Sequence, residues 1–435
     1  MKILKLSAYY TPERVSSSHL TEDMEIACGA NGIITEIYAP TPTRGVSAEE
    51  REKYKTIRYE EKLNGKLIIH RFSMFREGRN PILRAVRYVL VNVFQYFKGV
   101  DAKDVDMILG GSTPPTQGIL CGLVAKRLSK KYKRNVAFVF NLQDMFPESM
   151  VSAGLTKKGS FLWKIGNWVS NVTYRNAEHI MVICDSMKEN LIAKGVPAEK
   201  ISVVYNWINT DNTVPVPRAE NPLFEEFGLD RERFIVTYAG NLGNTQNVEL
   251  LVDCAEALKD KNDIRFVIFG NGSEKEKLEK RIAESGLANI RLLPLQPAEK
   301  ISQVYSLGDA SFVICKKGAG EGAFPSKAMS IMATATPIIA SFDLDSDLCR
   351  IVSREEVGLC ADAEDVAAAK EAILKLYNDR QLTKKMGENA HKLACSRFSK
   401  ETGTAAKLEI YERFAKKREK QSKRTQVKVW YFWKN

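Results

Sequence analysis

Histidine is scarce in this chain. Four occur in 435 residues, at 19, 70, 179 and 391. No two histidines are spaced as metal ligands are, so no resident metal is expected. The eight cysteines, at 28, 121, 184, 254, 315, 349, 360 and 395, contain no C-x-x-C pair. That excludes a zinc ribbon and a disulfide framework, and reads as small buried hydrophobes in a reducing cytosol. No apolar run reaches the roughly 18–20 residues of a membrane-spanning helix. The first six residues, MKILKL, read as a β-strand rather than a signal peptide. No RNA- or DNA-reading motif is visible, and much of the basic excess gathers near the C-terminus, so nucleic acid is not an expected partner.

What remains is a globular composition, 44% hydrophobic and 27% charged, with a net charge of +12. That balance favours an anionic partner, either a phosphorylated substrate or an acidic membrane surface. The length is too great for one ordinary core, so two domains are expected. Both halves alternate short β-branched runs with amphipathic stretches. Strands are expected at 2–7, 33–39, 68–71, 107–110, 135–142, 179–183 and 201–204, and again at 234–239, 265–270, 290–293, 310–315, 337–340 and 358–360. Strands alternating with helices imply parallel sheets covered on both faces. The fold class is therefore α/β, with two Rossmann-like domains facing each other across a cleft lined by strand-end loops. Residues 212–222 hold three prolines without periodicity and read as a linker. The expected boundaries are 1–211, 223–400, a C-terminal helix over 401–416 that packs back on the first domain, and a basic aromatic tail over 417–435.

The segment 318–341, GAGEGAFPSKAMSIMATATPIIAS, carries the sharpest chemistry. A glycine-rich loop enters a helix at Pro325-Ser326-Lys327. The start of a helix offers unpaired N–H groups and the positive end of its dipole, which suits phosphate. Ser326 is a good N-cap type. Lys327 is unfavourable for the helix itself, being a cation at a positive end, and an anionic ligand would relieve that conflict. A plain turn with a solvated lysine is the competing reading. Two further segments suit an anionic bilayer. One is the almost wholly apolar run 82–97, bordered by Arg76, Arg79, Arg84, Arg87 and Lys98. The other is the tail, where Lys416, Lys417, Arg418, Lys420, Lys423 and Arg424 precede Trp430-Tyr431-Phe432-Trp433. A buried helix and a solvated terminus are their respective alternatives.

Several strings in order resemble glycosyltransferase family 4. They are Tyr9-Tyr10-Thr11-Pro12, Val204-Tyr205-Asn206-Trp207-Ile208-Asn209, the Gly270-Asn271-Gly272 turn, and Met332-Ala333 followed by Pro337-Ile338-Ile339-Ala340. The resemblance covers nearly the whole chain and implies the GT-B fold. Ser112-Thr113-Pro114-Pro115, Asp144 through Ser149, Gly240-Asn241-Leu242-Gly243 and Pro325-Ser326-Lys327 are most similar to a bacterial surface-polysaccharide branch that includes fucosamine transferases.

The resemblance implies transfer of a sugar with retention, from a nucleotide-diphosphate donor, usually UDP-linked, without a metal or other cofactor. The transferred group would be of hexosyl or N-acetylhexosaminyl type. A polyprenyl-linked saccharide is the expected acceptor, in capsule, O-antigen or exopolysaccharide assembly. The expected location is the cytoplasm, peripheral on the inner face of a bacterial membrane. The sequence departs from the family where its glutamate pair is concerned. Ser330 stands at the second position and Gly322 at the first, with Glu321 one place out of register. Asn241 and Gln246 replace the usual Arg and Lys. Lys327 is therefore the candidate for the missing cation. Backbone groups at Gly243, Gly270, Gly272, Pro325 and Ser326 complete the donor set, with Leu295 at a candidate base slot that reads equally as a bland connection. Asp144, with Thr11, Thr113 and Glu148, is expected on the acceptor side. Asp144 would orient the acceptor or take its proton, and otherwise is a turn residue before Pro147. Glu321 is a candidate for donor-sugar hydroxyls. Two alternatives stand beside this reading: a nucleotide-sugar epimerase, and a degenerate non-catalytic sugar-nucleotide binder.

Overall fold

The computed structural model describes residues 1–13, 18–78, 80–152, 154–320, 322 and 324–415. Glu321, Arg79 and the basic aromatic tail from Lys416 onward lie outside the described residues. The chain forms two units. The first holds Met1–Ile183, Met187–Val204 and the segment from Thr404, and the second holds Cys184–Ser186 and Tyr205–Gly403.

The first unit is built on an eight-stranded sheet of order β3-β4-β2-β1-β5-β6-β7-β8. Its strands are β1 Lys2–Leu6, β2 Ile34–Pro40, β3 Tyr59–Lys62, β4 Leu67–Phe72, β5 Met107–Gly111, β6 Ala137–Leu142, β7 His179–Val182 and β8 Ile201–Val203. Every pair is parallel except β3–β4. The second unit is a six-stranded parallel sheet of order β11-β10-β9-β12-β13-β14. Its strands are β9 Phe234–Asn241, β10 Ile264–Asn271, β11 Ile290–Pro294, β12 Ala310–Ile314, β13 Ile338–Ser341 and β14 Gly358–Ala361.

Parallel strands are covered on both faces, which is why they read as unbroken apolar runs: all five residues of β12, ASFVI, are buried. Each large side chain so enclosed contributes about 1.5–3 kcal/mol. In both sheets the strand order reverses beside the first strand, between β1 and β5 and between β9 and β12. Open α/β sheets hold their ligands outside the carboxyl ends of the strands at such a reversal.

One expectation changes. Residues 212–222 do not act as a free linker. They run along the second unit, where Ser302 Oγ accepts from Val214 N–H at 3.1 Å and Ser306 Oγ accepts from Val216 N–H at 3.0 Å. The prolines that suggested a linker simply keep this strap out of the sheet. The apolar run 82–97 is part of a helix, Pro81–Asp101, capped by Asn80. It does not bury its apolar side. Ile82 and Phe97 are 72% and 62% exposed, whereas Arg87 and Gln95 are fully buried. Gln95 donates to the carbonyls of Ser7 and Tyr38 at 2.8 and 2.9 Å, and so satisfies backbone acceptors where the ladder ends.

Candidate functional site

In the second unit the loop after β9 meets the helix Ser326–Ala333. Lys327, the second residue of that helix, has its ammonium group enclosed. Its Nζ donates to Tyr238 Oη at 3.0 Å and stands 4.2 Å from the centre of the same ring. A Cβ placed on Gly240 would come within 2.9 Å of this nitrogen. Gly240 itself has φ 145°, a region that glycine alone enters readily. The ammonium therefore needs a bare backbone at 240. No carboxylate pairs with it among the described residues, and burial pushes its pKa down from 10.5 to about 8. Tyr238, buried on β9, also donates to the Asn241 carbonyl at 2.8 Å, so one hydroxyl holds both the lysine and the loop.

The other donor-side candidates gather at this loop. Asn241 Nδ2 donates to Gln246 Oε1 at 3.1 Å, spanning Gly243. A Cβ on Gly243 would meet both side chains, at 2.5 and 2.7 Å. Gly270 pairs with Gly240 in the sheet, and Gly272 lies under the Leu242 carbonyl, where a Cβ would clash at 2.4 Å. These two glycines let the loop seat closely on β10. Ser330 is buried on the helix, two turns or less from Pro325. Leu295 lies one residue beyond β11 at the sheet edge and is 52% exposed.

Two local expectations are corrected. Ser326 is not the N-cap. Pro325 occupies that position, makes no side-chain cap, and moves the exposed serine one place into the helix. The glycine-rich loop is also not an open anion nest. Asp343 Oδ1 accepts from Gly318 N–H at 2.8 Å, and Asp343 Oδ2 accepts from Gly320 N–H at 2.9 Å. An internal carboxylate already fills that place. Ala328 N–H donates to the Pro325 carbonyl at 3.0 Å, so among the described residues the donors at this helix start are the N–H groups of Ser326 and Lys327 and the Lys327 ammonium. One cation was missed: Lys316, just past β12, donates to Asn244 Oδ1 at 2.6 Å, on the far side of the same strand-order reversal. Its only sequence signal is its place after a buried strand.

In the first unit a cavity of about 510 Å³ opens at the carboxyl ends of β1, β5 and β6. Thr11, Thr113 and Asp144 line it, with Tyr9, Arg44 and Gln143. Asp144 is exposed on its rim side, while the surrounding protein strips enough water to raise its pKa above the usual 3.8. Glu148 does not line this cavity. It pairs with Lys194 at 2.5 Å, so its expected acceptor role is withdrawn. Lys407 and Tyr411, from the helical segment 400–415, close the cavity's wall. Both are buried, and burial first, then the nearby Lys5, pushes Lys407 down to about 8. Nothing local in the sequence marks them, because they reach the cavity from the other end of the chain.

The hub role of Tyr238 is testable. Tyr238→Phe removes the hydroxyl that accepts from Lys327 and leaves the buried ring in place. It is expected to raise donor KM about three- to tenfold with a smaller change in kcat. It should also move the alkaline limb of donor affinity to lower pH, because the ammonium loses its acceptor. Steady-state kinetics across pH 6–9 check this; an unmoved limb would make the tyrosine merely structural.

Comparison with known proteins gives the family and the fold. Residues 29–212 match the family profile "Glycosyltransferase Family 4", and residues 220–393 match "Glycosyl transferases group 1". The chain is 25% identical over 375 residues to the "Putative colanic acid biosynthesis glycosyl transferase WcaI" of Escherichia coli, covering 85% of this chain and 90% of that one. It is 24% identical over 305 residues to the "Probable glycosyltransferase WbjE" of Pseudomonas aeruginosa, covering 69% and 74%. The solved structure of HepE from Anabaena in complex with UDP superposes with a TM-score of 0.68 at 16% identity, covering 95% of this chain and 100% of that one, which speaks to fold. Two Rossmann-like sheets, a strand-end site in each and matches running through both units place the chain in glycosyltransferase family 4, with the GT-B fold.

Proposed function

We propose that this glycosyltransferase moves a hexosyl or N-acetylhexosaminyl group, with retention, from a UDP-linked donor to a lipid-linked saccharide during assembly of a bacterial surface polysaccharide. The observation that carries the donor half is the enclosed Lys327 ammonium, without a carboxylate partner among the described residues, at the start of a helix on the β9 loop. Burying a lone cation is costly unless an anion joins it. A diphosphate supplies that anion. HepE, whose structure contains UDP, lends the base by analogy.

In this reading the anomeric C–O bond to the diphosphate breaks while the acceptor oxygen bonds the same face of that carbon. Lys327 and the first-turn N–H groups neutralise the charge growing on the leaving phosphate. They take the place of a resident metal or other cofactor. The acceptor proton passes to the departing phosphate oxygen, or to Asp144 where that carboxylate is in reach. Asp144, Thr11 and Thr113 hold the acceptor sugar in the first unit's cavity. Work on a lipid-linked acceptor sets the enzyme peripherally at the inner face of the bacterial membrane, against anionic lipid. No described helix is long and apolar enough to cross one.

The test is product analysis with a panel of nucleotide sugars. UDP is expected to be released only when a lipid-linked saccharide is added, and one donor at about a hundred times its Kd should raise stability by about 2.7 kcal/mol. An epimerised sugar nucleotide formed without acceptor would instead favour the epimerase. Donor binding without turnover on any acceptor would favour a non-catalytic binder.

A further inference from the structure

The Pro81–Asp101 helix is inside out for a helix bathed in water. Ile82, Val86, Val89, Val93 and Phe97 follow one another at steps of three or four residues and form an exposed stripe, while Arg87, Gln95 and the half-buried Asn92 face the protein. A second helix, Phe161–Asn176, shows the same feature. Phe161, Ile165 and Trp168 fall on one side of it, the first and last 80% and 60% exposed. Between them lies the helix Gln117–Tyr132, in contact with both. Thr116 and Gln117 bond Asn92 at 2.6 and 3.0 Å on one flank. On the other flank, a Cβ on Gly118 would sit 2.1 Å from Thr173. The middle helix adds exposed Leu123 to this plate.

Charge says what covers the plate. The three helices carry three, four and two basic residues respectively and a single acid, Asp101. Lys98, Lys126, Arg127 and Lys164 are exposed beside the apolar stripes. A second copy of the chain related by a two-fold axis would set these cations against their like. A bilayer with anionic headgroups answers both features at once: the stripes enter the acyl boundary and the long basic side chains reach the phosphates. Free apolar surface of this extent is uncommon on a protein that meets only water.

We infer that this three-helix plate of the first unit is the surface that docks an anionic bilayer. The inference rests on the membrane-bound reading above and adds where the contact is made. The Gln95 bonds to the Ser7 and Tyr38 carbonyls fix the plate to the carboxyl end of β1, on the same strand end that opens into the first unit's cavity.

The test is flotation of the full-length protein with vesicles of phosphatidylcholine containing about one-third phosphatidylglycerol, against pure phosphatidylcholine. Two paired variants alter exposed positions: Val89→Asp with Phe97→Asp, and Phe161→Asp with Trp168→Asp. A third full-length variant turns Lys416, Lys417, Arg418, Lys420, Lys423 and Arg424 to glutamine. Thermal melts and donor binding establish that each variant folds. The wild type is expected to float with the anionic vesicles only. Each plate variant should lose at least about tenfold in partitioning, and the tail variant no more than about threefold. Plate variants that float like wild type while the tail variant does not would overturn the inference and leave the membrane reading standing. A wild type that fails to float would remove the membrane reading as well. A lipid-free dimer dissolved by the plate substitutions would assign the plate to self-association and overturn the inference.

Discussion

Lys327→Met is expected to lower kcat/KM for the donor about tenfold to a few hundredfold, the worth of a charge-assisted contact of about 1.5–3 kcal/mol that strengthens as the sugar–phosphate bond breaks. The same change should not destabilise the free protein. The ammonium's pKa is about 8 in the folded chain and 10.5 when unfolded. Between those values the unfolded state holds more protons, so stability rises with pH across the window and carries its full penalty below pH 8. Methionine removes the penalty and keeps contact with the Tyr238 ring. The variant should gain about 1–3 kcal/mol at pH 7, allowing for partial contact of the side chain with water. Donor affinity in the wild type should weaken as pH rises through about 8, where the charge is lost, and the variant's affinity should lack that limb. Calorimetric titration with the donor at pH 6.5–9.5, beside thermal unfolding, checks all three points. A destabilised variant with normal donor kinetics would make Lys327 a packing residue.

Asp144→Asn should act on the other half of the reaction. A positioned carboxylate that moves or holds a proton in the transition state contributes about a hundredfold or more. The variant is therefore expected to lose about a hundredfold in kcat, with donor KM within about threefold of wild type. Because desolvation raises the Asp144 pKa, its protonation should set the acid limb of the kcat/KM profile above the usual carboxylate range, and that limb should disappear in the variant. Charge at this position costs stability above the folded pKa, so the neutral amide should fold at least as well at pH 7. A variant within about threefold of wild type in kcat would reduce Asp144 to a turn residue before Pro147.

How far the sequence could be read depended on whether a feature was local. The buried parallel strands were legible because each is a short apolar run bounded by turn residues, β12 and β13 being clear cases. Edge strand β3 was not. Its sequence YEEK shows no alternation, because no core lies against it. The helix Ala48–Tyr54 was missed for the same reason: it buries nothing and is held by a capping box between Ser47 and Glu50. The apolar run 82–97 was visible, but which side faces outward was not, since only the bonds of Gln95 and Arg87 decide it. At the site, the Lys327 conflict with its helix was legible from position alone. The occupancy of the glycine-rich loop by Asp343 was not, because that carboxylate follows the next strand. Residue type pointed to Ser326 at the cap, whereas Pro325 holds that position without a side-chain bond.

The most direct test of the donor site is a crystal structure with UDP bound. A β-phosphate oxygen is expected within about 3 Å of Lys327 Nζ, with the first-turn N–H groups of its helix pointing at the same phosphate. A diphosphate seated elsewhere in the second unit, with Lys327 still bonded to Tyr238 alone, would contradict it.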